Sequence, residues 1–252
     1  MALQTLLPTL GAGRRRSGGG VSRDQLVYGT YLPDASTTGL LSDPAGFTVI
    51  NANTTITVAG TTYTNTWFKG RVDVRAANVS LSNCRITGDA LTPSSDTGLV
   101  MCNQASCVNF SIVDCEIYSA VPNHWWTGIT GHDFTAERCN IYWSVDGFQL
   151  SNTTTPAGPY NVGIYGCYVH DLSFFSPDST HTDNKSHNDC LQIFGGSGGI
   201  ALGNRFDSYL STTTGDQSYA GDGTNPPDAN FVANHPQALS CVQINVLSSQ
   251  GP

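Results

Sequence analysis

Apolar residues along this chain come in pairs two positions apart, and between successive pairs the parity slips by one. In "NVSLSNCRI", Val79 and Leu81 share one strand face, while Cys84 and Ile86 share a face offset by one position. The same slip recurs in "NFSIVDCEI" (Phe110, Ile112; then Cys115, Ile117) and in "NVGIYGCYV" (Val162, Ile164; then Cys167, Val169). "DFTAERCNI" from Asp133 is a further copy carrying Cys139, and "GGIALGNRF" from Gly198 is a weaker one with Asn204 in the cysteine position. One flat strand cannot turn all four apolar residues inward, but two short strands joined at a corner, Ser82-Asn83 in the first copy, can. A second motif follows each copy: "GLVM" from Gly98, "GIT" from Gly128, "GFQL" from Gly147, "CLQI" from Cys190 and "CVQI" from Cys241. Its alternation predicts Leu99/Met101, Phe148/Leu150, Leu191/Ile193 and Val242/Ile244 inward, with Gln149, Gln192 and Gln243 outward in register.

Three short strands per repeat, with corners between them, predict an all-β parallel β-helix. Coils would stack at about 4.8 Å, the strand spacing of a sheet. Equivalent residues then pile into ladders, and Cys84, Cys115, Cys139 and Cys167 should form an interior ladder of unbridged thiols. A β-sandwich is the main rival, but it does not explain a parity slip at the same place in every copy. The stretch from Ile56 to Gly70 is expected to form the first coil. Residues 1–27, rich in glycine, read as a flexible N-terminal docking arm, and residues 28–252 as the β-helix, with 28–50 capping its N-terminal end. After "CVQINV" only "LSSQGP" follows, too short for another coil. The last strand is therefore expected to need cover from the 207–240 loop or from a partner chain.

Composition supports strands and turns over amphipathic helices: charged residues make up 12%, and Lys69 and Lys185 are the only lysines. A formal net charge of −8 argues against nucleic acid as a partner, and Arg14-Arg15-Arg16 reads as a solvated run. No segment is long and apolar enough to span a membrane. The opening twenty residues read poorly as a secretory signal, because Pro8 breaks the apolar stretch and the arginines follow it. The five Asn-x-Ser/Thr sequons are taken as chance in a chain so rich in Asn and Thr.

Insertions gather between the cysteine strand and the second motif: "GDALTPSSDT", "SAVPNHWWT", "YWSVD", "HDLSFFSPDSTHTDNKSHND", then the stretch from Asp207 to Ser240. In a solenoid such loops cluster on one face, often the binding face. Aromatic rings beside carboxylates and amides suit sugars, which offer apolar ring faces and dense hydroxyls. Candidate ligand-binding residues are Trp125, Trp126, Trp143, His170, Asp171, Gln149 and Gln192. In "SHNDCLQIFGG", Asp189 stands two residues before the first inward position, as Asp146 does one coil earlier. Asp146, Asp189 and His187 could therefore act as acid and base on a glycosidic bond. They could instead bind a ligand or a hard cation such as Ca²⁺, no other cofactor being expected, or simply shape the turn.

The run "YGTYLPDASTTGLL", the "GRVDVRAANVSLSNCRI" coil and the "SHNDCLQIFGG" turn resemble minor tail proteins of actinobacterial tailed phages, over residues from about 28 to 209. The resemblance implies a pectate-lyase-like, right-handed β-helix. It implies a virion tail component, assembled in the host cytoplasm beside other tail proteins and in contact with cell-surface polysaccharide. It also implies a homo-oligomer, with a trimer the first expectation. His187, Asp189 and Gln192 match the tail-protein pattern. The wider group includes pectate lyases and polygalacturonases, but the paired-arginine lyase signature and the Asn-Thr-Asp, Asp-Asp, Gly-His-Gly series of the hydrolases are missing from this chain. A polysaccharide lyase or glycoside hydrolase is the alternative to the structural, receptor-binding role.

Overall fold

The computed structural model describes residues 33–88, 97–151, 160–175, 178, 181–182, 184, 186–194 and 198–207, with the backbone of a strand at 240–244. The expected docking arm and the tip of the 207–240 loop lie outside the described residues.

The chain winds into a right-handed parallel β-helix whose three sheets run its length. The first sheet contains β1 (Thr48–Ile50), β4 (Thr66–Phe68), β7 (Arg85–Ile86), β10 (Glu116–Tyr118), β13 (Asn140–Tyr142), β16 (Tyr168–Val169) and β19 (Arg205–Phe206). The second contains β2 (Thr54–Ile56), β5 (Val72–Val74), β8 (Thr97–Cys102), β11 (Trp126–Gly131), β14 (Asp146–Leu150), β17 (Asp189–Ile193) and β20 (Ser240–Ile244). The third contains β3 (Thr62–Thr64), β6 (Ser80–Ser82), β9 (Phe110–Val113), β12 (Phe134–Glu137), β15 (Val162–Tyr165) and β18 (Gly199–Leu202). Each strand pairs in parallel with its counterparts one coil away, as a right-handed crossover requires.

The parity slip has a backbone cause. Between the third and first sheets one residue per coil takes a left-handed conformation: Asn65, Asn83, Asp114 and Arg138 have φ between 49° and 53°. Asn78, Asn109, Asp133 and Asn161 do the same between the second and third sheets, at φ of 49° to 58°. Asn and Asp tolerate this region because their short side chains bond locally. The corner asparagines also bond to each other across coils: Asn109 Nδ2 donates to Asn78 Oδ1 at 2.8 Å, and Asn83 Nδ2 to Asn65 Oδ1 at 2.6 Å.

Immediately after the corners between the third and first sheets stand Cys84, Cys115, Cys139 and Cys167, all buried and unbridged. Each thiol can serve the coil before it, as Cys84 N–H donates to Cys115 Sγ and Cys139 N–H to Cys167 Sγ, both at 3.4 Å. Asn204 ends the ladder and takes over that role with its amide, accepting from Cys167 N–H at 2.8 Å. Beside it runs an apolar ladder, Phe68, Ile86, Ile117, Ile141 and Val169, in register through the first sheet.

Two readings of the pattern shift. "GLVM" aligns one residue later than its glycine suggested. Val100 pairs with Ile129 and Met101 with Thr130, so Met101 holds the outward position while Val100 and Cys102 join Leu99 in the core. Its first residue, Gly98, faces Thr127 and not Gly128, so the matching glycines were a coincidence of sequence. The solenoid also begins earlier than Ile56. Thr48–Ile50 is already a strand of the first sheet, so the last residues of the expected cap belong to the first coil. The segment before it lies along the corners: Gly39 N–H donates to Arg138 O at 2.8 Å, and Leu41 N–H to Asn83 Oδ1 at 2.7 Å.

Candidate functional site

The loops between the first and second sheets stand over the outer face of the second sheet and enclose a cavity of about 470 Å³. Its sheet side is made of Asp146, Gln149 and Gln192, and its loop side carries His124, Trp125, His181 and His187, with Phe194 closing one end. This volume is in the usual range for a small-molecule or sugar-sized ligand.

Register places the polar floor. Gln149 pairs with Gln192 on neighbouring coils, and their side chains bond in series. Thr130 Oγ1 donates to Gln149 Oε1 at 2.9 Å, and Gln149 Nε2 donates to Gln192 Oε1 at 3.0 Å. The row runs parallel to the solenoid axis. Every amide nitrogen carries two N–H groups, so a ladder that uses one still has donors to offer a ligand.

Asp146 and Asp189 lie on adjacent coils as the sequence predicts, but they do not converge on the cavity. Asp189 N–H donates to Asp146 Oδ1 at 2.9 Å. Asp189 is 1% exposed, against 9% for Asp146, and only Asp146 lines the cavity. The stretch "SHND" divides between two roles. Asn188 Nδ2 donates to Val145 O at 3.0 Å and to Ser173 O at 2.7 Å, while Ser186 Oγ donates to its Oδ1 at 3.1 Å. Those bonds pin the long 170–188 loop onto the shorter loop above it, leaving His187 at the cavity.

Trp125 lines the cavity beside His124, their rings 4.6 Å apart. Trp126 borders it too, yet the residue is 0% exposed and belongs to the core, so its indole cannot stack on a ligand. Trp143, His170 and Asp171 lie elsewhere, on the outer side of the first sheet. There Tyr118 and Tyr142 stack at 4.8 Å, with Trp143 edge-on to Tyr142 at 5.1 Å. His170 packs against Tyr168, its Nδ1 bonded to Asp171 and its Nε2 to Asn140 Oδ1 at 2.9 Å. Burial, then Glu116, pushes the Tyr142 hydroxyl up, so it stays protonated and donates to Glu116 Oε1 at 2.9 Å.

The sequence pattern did not single out His124, His181, Asp178 or Phe194. Asp178 is fully buried, and its Oδ2 lies 3.2 Å from His181 Nδ1. The Asp-x-x-His spacing at 178–181 was the one available signal. His181 and His187 face each other with ring centroids 4.4 Å apart. Among the described residues, no group of three or more His, Cys, Asp or Glu side chains is arranged to hold a metal ion, and no helix is long and apolar enough to cross a membrane.

No protein-family model, curated protein or solved structure matches the chain.

Proposed function

We propose that the protein binds a cell-envelope glycan in the cavity over the second sheet, as a minor tail component of an actinobacterial tailed phage. The observation that carries the binding role is one cavity combining the Gln149–Gln192 amide ladder with Asp146 and the rings of His124, Trp125 and Phe194. Flat rings and repeated donors at coil spacing suit a chain of sugars lying along the solenoid. The tail setting rests on the motifs around "YGTYLPDASTTGLL" and "SHNDCLQIFGG". In that setting the chain would assemble with other tail proteins in the virion, as a homo-oligomer and by preference a trimer.

Cleavage of the glycosidic bond by Asp146 and Asp189 is the weaker reading. Both standard mechanisms need two carboxyls facing the scissile bond from opposite sides. Here Asp189 is buried at the start of β17 and only Asp146 meets the cavity.

Affinity electrophoresis through gels containing purified actinobacterial envelope polysaccharide tests the binding role. Wild-type protein should be retarded. Gln192→Ala and Trp125→Ala should each weaken retention roughly 3- to 10-fold, the worth of one neutral hydrogen bond or a comparable ring contact, with unchanged melting temperatures. Free migration of the wild type through every such polysaccharide would remove this reading. Shortening of the polysaccharide chains during incubation would restore the glycosidase alternative.

A further inference from the structure

One row of side chains joins the cavity floor to a second polar cluster. On the outer face of the second sheet Thr55, Asp73, Met101, Thr130, Gln149 and Gln192 pair coil by coil. Gln149 and Gln192 belong to the cavity, and Asp73 stands upstream of them in "RVDVR". Val72 and Val74 are fully buried in the core, so Arg71, Asp73 and Arg75 share the outer face of β5.

These three groups do not satisfy one another. Arg75 Nε and Nη2 both donate to Asp73 Oδ2, at 2.9 and 2.7 Å. Asp73 Oδ1 has no hydrogen-bond partner, although the residue is only 3% exposed. Arg71 does not fill that place. Its Nη1 donates to neutral groups, Thr97 Oγ1 at 3.0 Å and Met101 Sδ at 3.8 Å. A guanidinium carries five N–H donors, so Arg71 has more to offer. A buried carboxylate oxygen without a donor costs free energy that an incoming hydroxyl recovers.

We propose that Arg71 and Asp73 form a second glycan subsite, which takes adjacent hydroxyls of one sugar. One hydroxyl donates to Asp73 Oδ1, and its neighbour accepts from the Arg71 guanidinium. An uncharged diol fits better than a carboxylate or phosphate, which would meet the negative charge of Asp73. The proposal rests on the glycan-binding reading of the cavity and extends it, because one chain occupies both places. From Asp73 to Gln192 is four coil steps, roughly 19 Å at the strand spacing of a sheet, farther than a disaccharide reaches. Between them the half-buried Met101 offers an apolar contact to a ring face, while Thr130 is short and buried. Arg75 is the group that gives way to the ligand. Its side chain is 50% exposed, and Asp73 is the side chain that holds it.

The test uses the full chain and size-fractionated oligosaccharides, from disaccharide to octasaccharide, of an actinobacterial envelope polysaccharide that retards the protein in gels. Calorimetric titration should show affinity rising beyond the disaccharide and levelling off once the chain spans both places. Asp73→Ala and Arg71→Ala should each lower octasaccharide affinity about 10-fold or more, the worth of a hydrogen bond to a charged group, and leave disaccharide affinity unchanged. Gln192→Ala should weaken short and long chains alike. Arg75→Ala separates a ligand role from a structural one. It removes the same salt bridge as Asp73→Ala, yet should bind the octasaccharide at least as tightly as the wild type. A loss equal to that of Asp73→Ala would assign the effect to the salt bridge and overturn the proposal. Equal affinity at every chain length, or octasaccharide binding by Asp73→Ala that matches the wild type, overturns it too, and the cavity reading then stands. If no envelope polysaccharide retards the wild type, the cavity reading falls and the second subsite falls with it.

Discussion

At the scale of single residues, the fold depends on positions that would look unremarkable in isolation. Cys139 is fully buried, with its Sγ 3.6 Å from both Ile112 O and Glu137 O. Cys139→Ser places a hydroxyl in an interior shaped for a thiol, and should destabilise by roughly 1–3 kcal/mol; urea denaturation reads it directly, and an unchanged midpoint would contradict the packing. Burial pushes the thiols of Cys115 and Cys139 well up, so they stay protonated. A thiolate-selective reagent should therefore leave both unlabelled in the native protein and label both in denaturant, as peptide mass spectrometry would show. Glu137 supplies a pH test. Burial raises its carboxyl, with Arg138 opposing and Asp114 adding to the rise. A raised carboxyl favours the folded state fully below the unfolded glutamate value, about pH 4.3, and that advantage is lost as pH rises through the folded value. Glu137→Gln should thus be more stable than wild type at pH 7, with the gain shrinking towards pH 4. A lower midpoint at pH 7 would mean that the bond from Arg138 Nη1, at 3.2 Å, outweighs burial. The cysteine ladder and the corner at Ser82-Asn83 were legible because both go with the parity slip. Arg138 was not, since nothing in an arginine announces a left-handed corner. What holds it there is a two-pronged bond to Asp114 at 2.8 and 3.0 Å, a contact between coils that only the folded chain brings together.

At the scale of elements, register decides which residues meet. The glutamine ladder was readable from "GFQL" and "CLQI" because both strands enter their sheet at the same step. "GLVM" misled because a glycine in the sequence marks a small side chain, not a place in the coil. Gly128 and Gly147 are the informative ones. A Cβ on Gly147 would come within 2.5 Å of Val169 Cγ1 and 2.6 Å of Cys190 O, since here the second sheet passes close to the inner face of the first. Gly147→Ala must push β14 outward and should cost about 1–3 kcal/mol, the usual penalty of overpacking. Because β14 carries Asp146 and Gln149, the same change should weaken glycan retention beyond what its stability loss explains. Equal retention at equal folded fraction would show that the amide row does not depend on this close approach. The cavity lies under the loops the sequence marked as insertions, because loop length alone reveals where a solenoid is elaborated. Trp126 is buried, and Trp143, His170 and Asp171 lie away from the cavity, because residue type does not say which side of a corner a side chain occupies. Trp126 sits at the start of β11 and turns inward, while its neighbour Trp125 ends the loop and lines the cavity.

At the scale of the molecule, a solenoid is a one-dimensional stack in which each coil is stabilised by its neighbours, so stability should vary along its length. The middle coils are the best supported: β11 is buried at all six positions, and Phe134 on the third sheet stacks over Phe148 on the second at 6.4 Å. Support thins towards both ends. In the first coil, β1 and β3 are largely exposed. Near the other end, three of the four residues of β18 are exposed, Ile200 by 44%. A half-open apolar pocket of about 270 Å³, lined by Leu150, Leu191, Ile193 and Ile200, lies at that level. Apolar lining atoms left facing solvent lose packing partners on one side, which weakens the coil around them. Hydrogen exchange should therefore be slowest in β8, β11 and β14, intermediate in β15 and β17, and fastest among these strands in β18, which ends its sheet and pairs on one side only among the described residues. Filling the pocket should flatten that gradient. Ala201→Val, at a position that lines it, is expected to slow exchange in β15 and β18 while leaving β8 unchanged, because nearest-neighbour coupling carries the gain only to adjacent coils. Uniform protection from β1 to β19 in the wild type, or a response to Ala201→Val spread evenly over the chain, would mean that the coils fold as a single cooperative block and not as a stack.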